Sequence, residues 1–339
     1  MQRTKTGPLY CSLMIIPTIL TSFAAHAEQD VSAQAYSSSL VEPIPSRFSS
    51  PAEDLFNIPA FSGAQVLKEG QSRYSLQAEI TSNAVVMNNA DETVRFDGET
   101  WRLIPQWQFG LSDNLNFTVS LPLKRHSTGE LDSFIDDFHN AFNLRDGSRD
   151  DFENDQLVYG YVTTGNQSDF LITDSKEGIG DLTTKLSYMN PFDLPFTAHL
   201  HIKAPTGDED DLMGSGGWDF GLTASYQDGF SDQLFWAVEA GGHRLGESDQ
   251  IRDQEDWLAT ANAGIFWKVI TPITLKLQLE SRSALSASEL EPLGDPALQL
   301  TTGLTVKFRH HQFDAALIED IKTDSTSDAT FLLRWARSI

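Results

Sequence analysis

The fold is decided by two segments, Phe196-Thr-Ala-His-Leu-His-Ile-Lys203 and Trp218-Asp-Phe-Gly-Leu-Thr-Ala-Ser-Tyr226, which lie on either side of an acidic loop. Apolar and polar residues alternate along both segments. Successive side chains of a β-strand point to opposite faces, so each segment predicts a strand with one apolar and one polar face. Such strands are typical of water-soluble β-sandwiches and of membrane β-barrels.

The spacing of aromatic residues separates these two folds. Trp218 and Tyr226 lie eight residues apart on one apolar face, and Trp257 and Trp267 lie ten residues apart on another. At roughly 3.3 Å per residue and a strand tilt of about 40°, such spacings span roughly 20 to 25 Å along a barrel axis. This is close to the apolar band of an outer-membrane barrel, which has an aromatic girdle at each rim. We therefore interpret the apolar faces as lipid-facing.

The lengths of the connections indicate the topology of residues 71–339. The predicted short turns are residues 110–114, 190–195, 228–233, 269–272 and 309–312, and the connections between them are long. Short periplasmic turns that alternate with long external loops are typical of outer-membrane barrels. The sequence thus predicts an all-β fold, a single antiparallel transmembrane β-barrel of about twelve strands, with roughly ten to fourteen allowed.

The N-terminal residues have the composition of an export signal. Arg3 and Lys5 precede an apolar run, and Ala25-His-Ala27 follows it. This arrangement predicts a secretory signal peptide over residues 1–27 that is cleaved after Ala27. Export together with the two-faced strands predicts an outer-membrane location in a Gram-negative cell. The single cysteine of the sequence, Cys11, falls within the signal, so disulfides and thiolate chemistry are excluded from the exported chain.

Residues 28–70 are rich in serine, proline and alanine and show little periodicity. We interpret them as a periplasmic N-terminal segment rather than a domain. Phe48, Leu55, Phe56 and Phe61 in this segment could enter the barrel mouth, although an unstructured linker explains the composition equally well.

The longest insertion, residues 122–177, contains one stretch with helical periodicity. Apolar residues recur at helical spacing from Phe134 to Phe142, and Ser133 is a suitable N-cap. The sequence predicts one amphipathic helix, Ser133 to Phe142, in a long external loop, and an external hairpin from residues 157–163 and 169–173. The candidate residues of this loop are Asp136, His139 and Arg149, and we expect His139 to fasten the helix to the loop or wall through Asp136 or a nearby arginine.

A hydrolase would need a nucleophilic serine, a histidine base and an orienting acid. Asp136 and His139 lie three residues apart and could touch on a helix, but Ser133 lies on the far side of the helix from His139. The sequence also lacks a G-x-S-x-G nucleophile elbow. An outer-membrane lipid hydrolase is therefore the least favoured function, and we expect no enzyme and no cofactor.

Assigning the apolar faces to lipid places many charged side chains in the lumen. A dry soluble core could not hold them, because each unpaired charge would cost several kcal/mol. These candidates for a pore lining are Arg102, Lys185, His199, His201, Lys203, Glu239, Lys276, Glu280, Lys307 and Arg334, accompanied by His243, Lys268, Arg282 and Asp314.

Two interpretations of such a lumen remain open. In the first, the basic excess lines a narrow hydrated path for small polar, anionic or aromatic solutes. In the second, paired side chains fill the lumen of a structural barrel that does not conduct. Barrels with about twelve strands lie between small filled barrels and open porins, so the strand number does not decide between them.

The overall charge excludes one class of partner. The chain carries a formal net charge of −24, which argues against nucleic acid because its phosphates would be repelled. Much of the acid lies in predicted external loops, including residues 208–211. We interpret these as solvated loops that keep the chain soluble before insertion; alternatively, divalent cations could bridge them to anionic headgroups. The expected partners are outer-membrane lipid, lipopolysaccharide and the barrel-assembly machinery.

Several short motifs together resemble one protein family. They are Asp97-Gly-Glu-Thr100, Ser133-Phe-Ile-Asp-Asp-Phe-His139 followed by Phe142, Gly147 and Arg149, Gly178-Ile-Gly-Asp181, Pro205-Thr-Gly207 and Gly214-Ser-Gly-Gly217. In this order they resemble the bacterial domain of unknown function 3187 family over most of the exported chain. Gly-x-Gly-Asp followed by Pro-Thr-Gly is also similar to the phenol meta-pathway family of barrels. The resemblance implies an outer-membrane-type barrel and supplies no activity.

Overall fold

The computed structural model describes residues 40–128, 156–164, 170–190, 195–322 and 324–339. Twelve strands make up the barrel wall, two of them interrupted, and a short hairpin continues it at one end. The wall strands are β1 Ser72–Asn88, β2 Glu92–Ser112, β3 Leu115–Ser120 continued by β4 Leu123–Ser127, β7 Lys176–Ile179 continued by β8 Leu182–Met189, β9 Phe196–Ala204, β10 Asp219–Gly229, β11 Leu234–Arg244, β12 Trp257–Ile270, β13 Ile273–Arg282, β14 Ala297–Phe308, β15 His311–Asp320 and β16 Ala329–Ser338.

All wall strands pair in antiparallel fashion with their neighbours, and β1 closes the barrel by pairing with both β16 and β2. The predicted all-β fold and the strand number of twelve are therefore confirmed. The predicted hairpin is also present, because β5 Val158–Thr163 pairs with β6 Phe170–Ile172. β5 also pairs with the first residues of β2. We call its end of the barrel the long-loop end and the opposite end the short-turn end.

The outside of the wall is apolar and the inside is polar, which is the reverse of a soluble protein. On β12, Trp257 and Trp267 are 64% and 49% exposed, whereas Thr260 and Asn262 between them are buried. The same alternation of exposed apolar and buried polar side chains runs along β10 and β13. An exposed apolar belt of this extent requires lipid around it, so the interpretation of the apolar faces as lipid-facing fits the fold.

Pro105 in β2 interrupts the ladder in a different way from the β-bulge that its missing N–H group suggests. The pairs Gln106–Ser120 and Leu103–Leu123 on either side of it keep the same register. Leu121 and Pro122 lie between the two partner strands, so the proline faces a gap between β3 and β4. The partner strand is interrupted where the donor is missing, and the register is preserved.

Residues 40–66 lie inside the barrel, and we call them the lumen segment. Its side chains are mostly buried, among them Ile44, Leu55 and Phe61. It enters at the short-turn end, turns at a short helix, α1 Pro51–Phe56, and returns to the short-turn end before β1. The sequence leaves two positions open for this region, a periplasmic linker or entry of its apolar side chains into the barrel mouth. Residues 40–66 take the second position and are held in the lumen by contacts with the inner wall.

The helix α1 begins with a capping box that is legible in the sequence. The Ser50 hydroxyl accepts a hydrogen bond from the backbone N–H of Glu53, and the Glu53 carboxylate accepts one from the backbone N–H of Ser50. Pro51 occupies the first helical position, where no N–H is needed. A serine, a proline and a glutamate at this spacing thus start a helix within the lumen segment.

The long-loop end is covered by packed external loops. A cluster of buried apolar side chains joins α1, the hairpin and the loops after β9, β11 and β13. It includes Leu55 and Phe56 of the lumen segment, Leu212, Leu245 and Leu293. A second short helix, α2 Glu291–Gly294, lies in one of these loops. The described loops therefore form an apolar cap above the lumen.

The predicted amphipathic helix Ser133 to Phe142 lies outside the described residues, as do Asp136, His139, Arg149 and the signal peptide. In the described part of the chain, no helix is long and apolar enough to span a membrane.

Candidate functional site: the occupied lumen

Two adjacent acidic residues of α1 fix the tip of the lumen segment to two different parts of the wall. The Glu53 carboxylate lies 2.6 Å from Nε of Arg282 on β13. The Asp54 carboxylate lies 2.9 Å from Nε of Arg102 on β2 and 3.1 Å from Nζ of Lys124 on β4. All five side chains are buried, so these ion pairs hold α1 across the lumen from two sides.

The local field keeps the Asp54 carboxylate ionised. Burial by itself raises the pKa of Asp54, but the positive charges of Arg102 and Lys124 outweigh it and hold the pKa well below its usual range. Each buried charge of this cluster is compensated by another, which is the condition under which charges are tolerated in a low-dielectric interior.

A second set of contacts holds the entering part of the lumen segment, which precedes α1, near the short-turn end. Glu42 accepts hydrogen bonds from Arg73 at 2.7 Å and from Arg334 at 2.9 Å. Burial raises the pKa of Glu42, but the charges of Arg334 and Arg73 lower it by more, so it lies well below its usual range. Further along the segment, the Ser46 hydroxyl donates to the Glu280 carboxylate, and the Ile44 backbone N–H donates to the side chain of the neighbouring Gln278.

The part of the lumen segment that follows α1 and returns to the short-turn end contacts the wall on β8 to β11. Ser62 Oγ accepts a hydrogen bond from Lys185 Nζ at 2.9 Å, and the Gly63 carbonyl lies 3.0 Å from His199 Nε2. The Thr197 hydroxyl donates to the Ala64 carbonyl at 2.8 Å. Because the groups that the segment offers here are backbone carbonyls and a serine hydroxyl, its returning part is held by hydrogen bonds and not by ion pairs.

Most of the sequence-predicted pore residues meet in this interface. Arg102, Lys185, His199, Lys203, Glu239, Glu280 and Arg334 bond to the lumen segment. Lys276 lies 3.5 Å from Asp314, and His201 lies 3.2 Å from the Thr223 hydroxyl.

Lys307 differs from the other predicted pore residues, because it is exposed at the short-turn end. There it lines a separate mouth cavity of about 410 Å³ together with Lys68 and Arg309. Seven of the ten predicted pore residues are thus engaged by the segment that occupies the lumen.

The Gly-x-Gly-Asp and Pro-Thr-Gly motifs meet at one buried carboxylate. Asp181 accepts hydrogen bonds from the backbone N–H groups of Thr206, Gly207 and Ser215, and from Lys203 Nζ at 2.7 Å. A side chain at Gly214 would collide with this carboxylate. These motifs thus fix the loop after β9 to the start of β8, which gives them a structural role at the long-loop end.

Several residues of the lumen network were not among the sequence-derived candidates. Glu79 alternates with Ala78 and Ile80, and Lys124 alternates with Leu123, so the period of two could have found both. Glu42, Glu53 and Asp54 belong to a segment without strand periodicity, and the capping box at residues 50–53 is the one local signal in this region.

Divalent cations at the acidic loops were a further expectation. Among the described residues, no group of three or more histidine, cysteine, aspartate or glutamate side chains is placed to hold a metal ion. Asp211 of the loop after β9 lies 2.5 Å from Lys176 Nζ instead.

The fold and the occupied lumen define this protein as an outer-membrane-type β-barrel with an internal N-terminal segment. Residues 15–336 match the model of a family described as Protein of unknown function (DUF3187), and the chain belongs to that family. No curated relative matches the chain.

The structure is similar to the COG4313 outer membrane channel from Pseudomonas putida F1, with a TM-score of 0.51 and 14% identity, over 81% of this chain and 97% of the other. It also has some likeness to the NanC porin, with a TM-score of 0.44 and 6% identity, over 78% and 98% of the two chains. The toluene transporter TbuX from Ralstonia pickettii gives a TM-score of 0.38 and 11% identity, over 80% and 90%. At 14% identity, the likeness to the COG4313 channel shows the fold alone.

Proposed function

We propose that this protein is a passive outer-membrane channel for small polar, anionic or aromatic solutes, in which the lumen segment narrows the path. The observation that carries this proposal is the cavity that remains between the lumen segment and the polar inner wall. It is lined from Val66, Leu67 and Arg73 near the short-turn end up to Phe56 and Leu245 below the apolar cap. We place the entry of the solute at the short-turn end, between the lumen segment and the wall.

Complete passage requires movement of the lumen segment or of the cap. The helix α1 lies between the cavity and the long-loop end, and Leu55 and Phe56 pack into the cap cluster. Outer-membrane lipid would surround the exposed apolar belt, and an outer-membrane location follows from the same surface. The likeness of the fold to that of the COG4313 outer membrane channel supports this proposal.

A non-conducting structural barrel is the second candidate, and the apolar cap is the observation that favours it. A closed barrel whose lumen segment and loops form one buried cluster is a stable arrangement even without transport. The two candidates differ in whether the lumen segment leaves its docked position under ordinary conditions.

A reversible lock on the lumen segment separates the two functions. Because the exported chain lacks cysteine, Ala64→Cys with Thr197→Cys introduces one thiol pair at a direct contact between segment and wall. We expect refolded native protein to show discrete single-channel conductance in a planar bilayer. Oxidation of the double variant should lower its conductance, and reductant should restore it.

Two controls complete the experiment. The single variant Ala64→Cys should respond to neither oxidant nor reductant. A variant that lacks residues 40–66 should conduct more than the native protein, because the lumen is then empty. Silence of both the native protein and the deletion variant, with an intact barrel, would establish the structural barrel instead.

A further inference from the structure

The cavity beside the lumen segment has a wall whose chemistry is specific. Its volume is about 160 Å³, which holds several water molecules or one small organic molecule. It lies between the returning part of the lumen segment and the inner faces of β2, β3 and β8 to β11.

The polar side of the cavity is built by a row of directly opposed residues. Lys185 on β8 faces His201 on β9, His201 faces Gly221 on β10, and Gly221 faces His243 on β11. All four line the cavity. The strand register therefore places one cation and two imidazoles on the same level of four neighbouring strands.

Lys185 is a cation without a carboxylate partner in the described part of the chain. Its Nζ donates a hydrogen bond to Ser62 Oγ. No carboxylate oxygen of the described residues lies within 4.0 Å of this Nζ, the distance at which an ion pair forms. Lys203, by contrast, is paired with Asp181 at 2.7 Å and with Asp219 at 3.0 Å. The charges of Glu239 and Glu42 act on Lys185 from beyond ion-pair distance. A cation beside a cavity without a direct ion pair favours an anionic occupant.

The acidic groups near this arrangement are already engaged. Two of them, Glu42 and Asp219, line the cavity. Glu42 is paired with Arg73 and Arg334, and Asp219 is paired with Lys203. The Glu239 carboxylate accepts hydrogen bonds from the Ser62 backbone N–H at 3.2 Å, from Asn262 at 3.4 Å and from the Ser225 hydroxyl. It does not line the cavity. Glu239 therefore fixes the position of Ser62, and the side of Lys185 that faces the cavity remains available.

The imidazoles add hydrogen-bonding groups to the same wall. His243 is buried and its Nε2 lies 3.0 Å from the Thr260 hydroxyl, while its Nδ1 has no hydrogen-bond partner among the described residues. This Nδ1 lies over Gly221, where an added Cβ would be only 2.3 Å away. The glycine thus leaves room for the ring, and the free nitrogen lies beside a residue that lines the cavity.

The lining of the cavity also has an apolar part. Phe56, Ile58 and Phe61 of the lumen segment line it together with Ile104 of β2. An occupant that satisfies both sides must carry a negative charge at one end and an apolar body at the other. A fully hydrated inorganic ion would leave the apolar side without a partner, and a neutral hydrocarbon would leave Lys185 without one.

We propose that this cavity binds a small organic monocarboxylate with an apolar body. The carboxylate accepts hydrogen bonds from Lys185 and from a ring N–H group of a histidine in the row. The apolar body packs against Phe56 and Ile58. This proposal names the solute class of the proposed channel and rests on that function for its biological meaning, while binding itself is measured independently of conduction.

The test uses full-length mature protein in detergent and three probes of graded chemistry. Benzoate carries both the charge and an apolar ring, acetate carries the charge alone, and benzyl alcohol carries the ring alone. Isothermal titration at pH 7 should show benzoate binding at least tenfold more tightly than either of the other two. Lys185→Gln should weaken benzoate binding at least tenfold, because it removes the charge and keeps a hydrogen-bonding side chain.

Lys307→Gln is the matched control, since it removes an exposed cation that lines the mouth cavity instead. It should leave benzoate affinity unchanged, and heat-modifiable migration should show that both variants form barrels. Absence of benzoate binding to the native protein, or equal binding by Lys185→Gln, would overturn the site. Binding without conductance would leave the site in place and remove the channel, whereas conductance without binding would do the reverse.

Discussion

Asp54→Asn is the change that most directly tests how the lumen segment is held. It preserves the size of the side chain and removes the charge that faces Arg102 at 2.9 Å and Lys124 at 3.1 Å. At an effective dielectric constant of about 20, each such pair is worth roughly 5 kcal/mol before desolvation. Removing one partner of a buried pair typically costs about 3 to 5 kcal/mol, because a buried charge is left uncompensated.

We expect the lower end of this range for Asp54→Asn. The asparagine oxygen can still accept a hydrogen bond from Arg102, and Glu79 lies 3.5 Å from the same guanidinium. A loss of about 3 kcal/mol corresponds to roughly a hundredfold increase in the undocked population of the lumen segment. Conductance should rise in parallel if undocking opens the path.

Hydrogen exchange of the backbone amides of α1 measures this population in the refolded protein. The Asp54 amide donates to the Ser50 carbonyl at 2.9 Å and reports on the helix directly. Asp113→Asn, an exposed change in the turn between β2 and β3, serves as a control for removing one negative charge. Equal protection of α1 in the native protein and in Asp54→Asn would refute the idea that the Asp54 ion pairs hold the segment in place.

Three further predictions follow from the same structure. The pKa values of Asp54 and Glu42 are lowered in the folded protein, so their contribution to docking is present above the unfolded pKa of about 4 and is lost only as pH falls through the folded values. Hydrogen exchange of the lumen segment should therefore show the same protection at pH 7 and pH 5. Undocking of the segment within that range would contradict the role of these two carboxylates in docking. Gly221→Ala should lower stability by about 1 to 3 kcal/mol, because the new methyl meets an imidazole nitrogen of the adjacent strand, whereas Gly242→Ala, which meets nothing within 4 Å, should change the urea midpoint little. Leu277→Arg, on the exposed apolar belt, should cost about 2 to 4 kcal/mol of folding free energy in bilayers, with Leu277→Ala as control, and a cost below about 1 kcal/mol would mean that this side does not face lipid.

The sequence by itself determined the wall of this protein. Side chains of a strand alternate with a period of two, so the apolar and polar faces of strands such as Phe196–Ala204 and Trp257–Ile270 can be read directly. The lengths of the turns then gave the strand number. Burial of Arg102, Glu239 and Glu280 inside the barrel follows from the same alternation, because each lies opposite an apolar face.

Only the tertiary structure decided what occupies the lumen. Residues 40–66 lack strand periodicity, and their position depends on contacts with wall residues more than two hundred positions away, such as Ser46 with Glu280 and Glu53 with Arg282. Local sequence cannot encode such pairings, since they exist only once the barrel has closed. The row of Lys185, His201 and His243 depends likewise on the register of four strands, which is fixed by pairing between strands and not by any one of them.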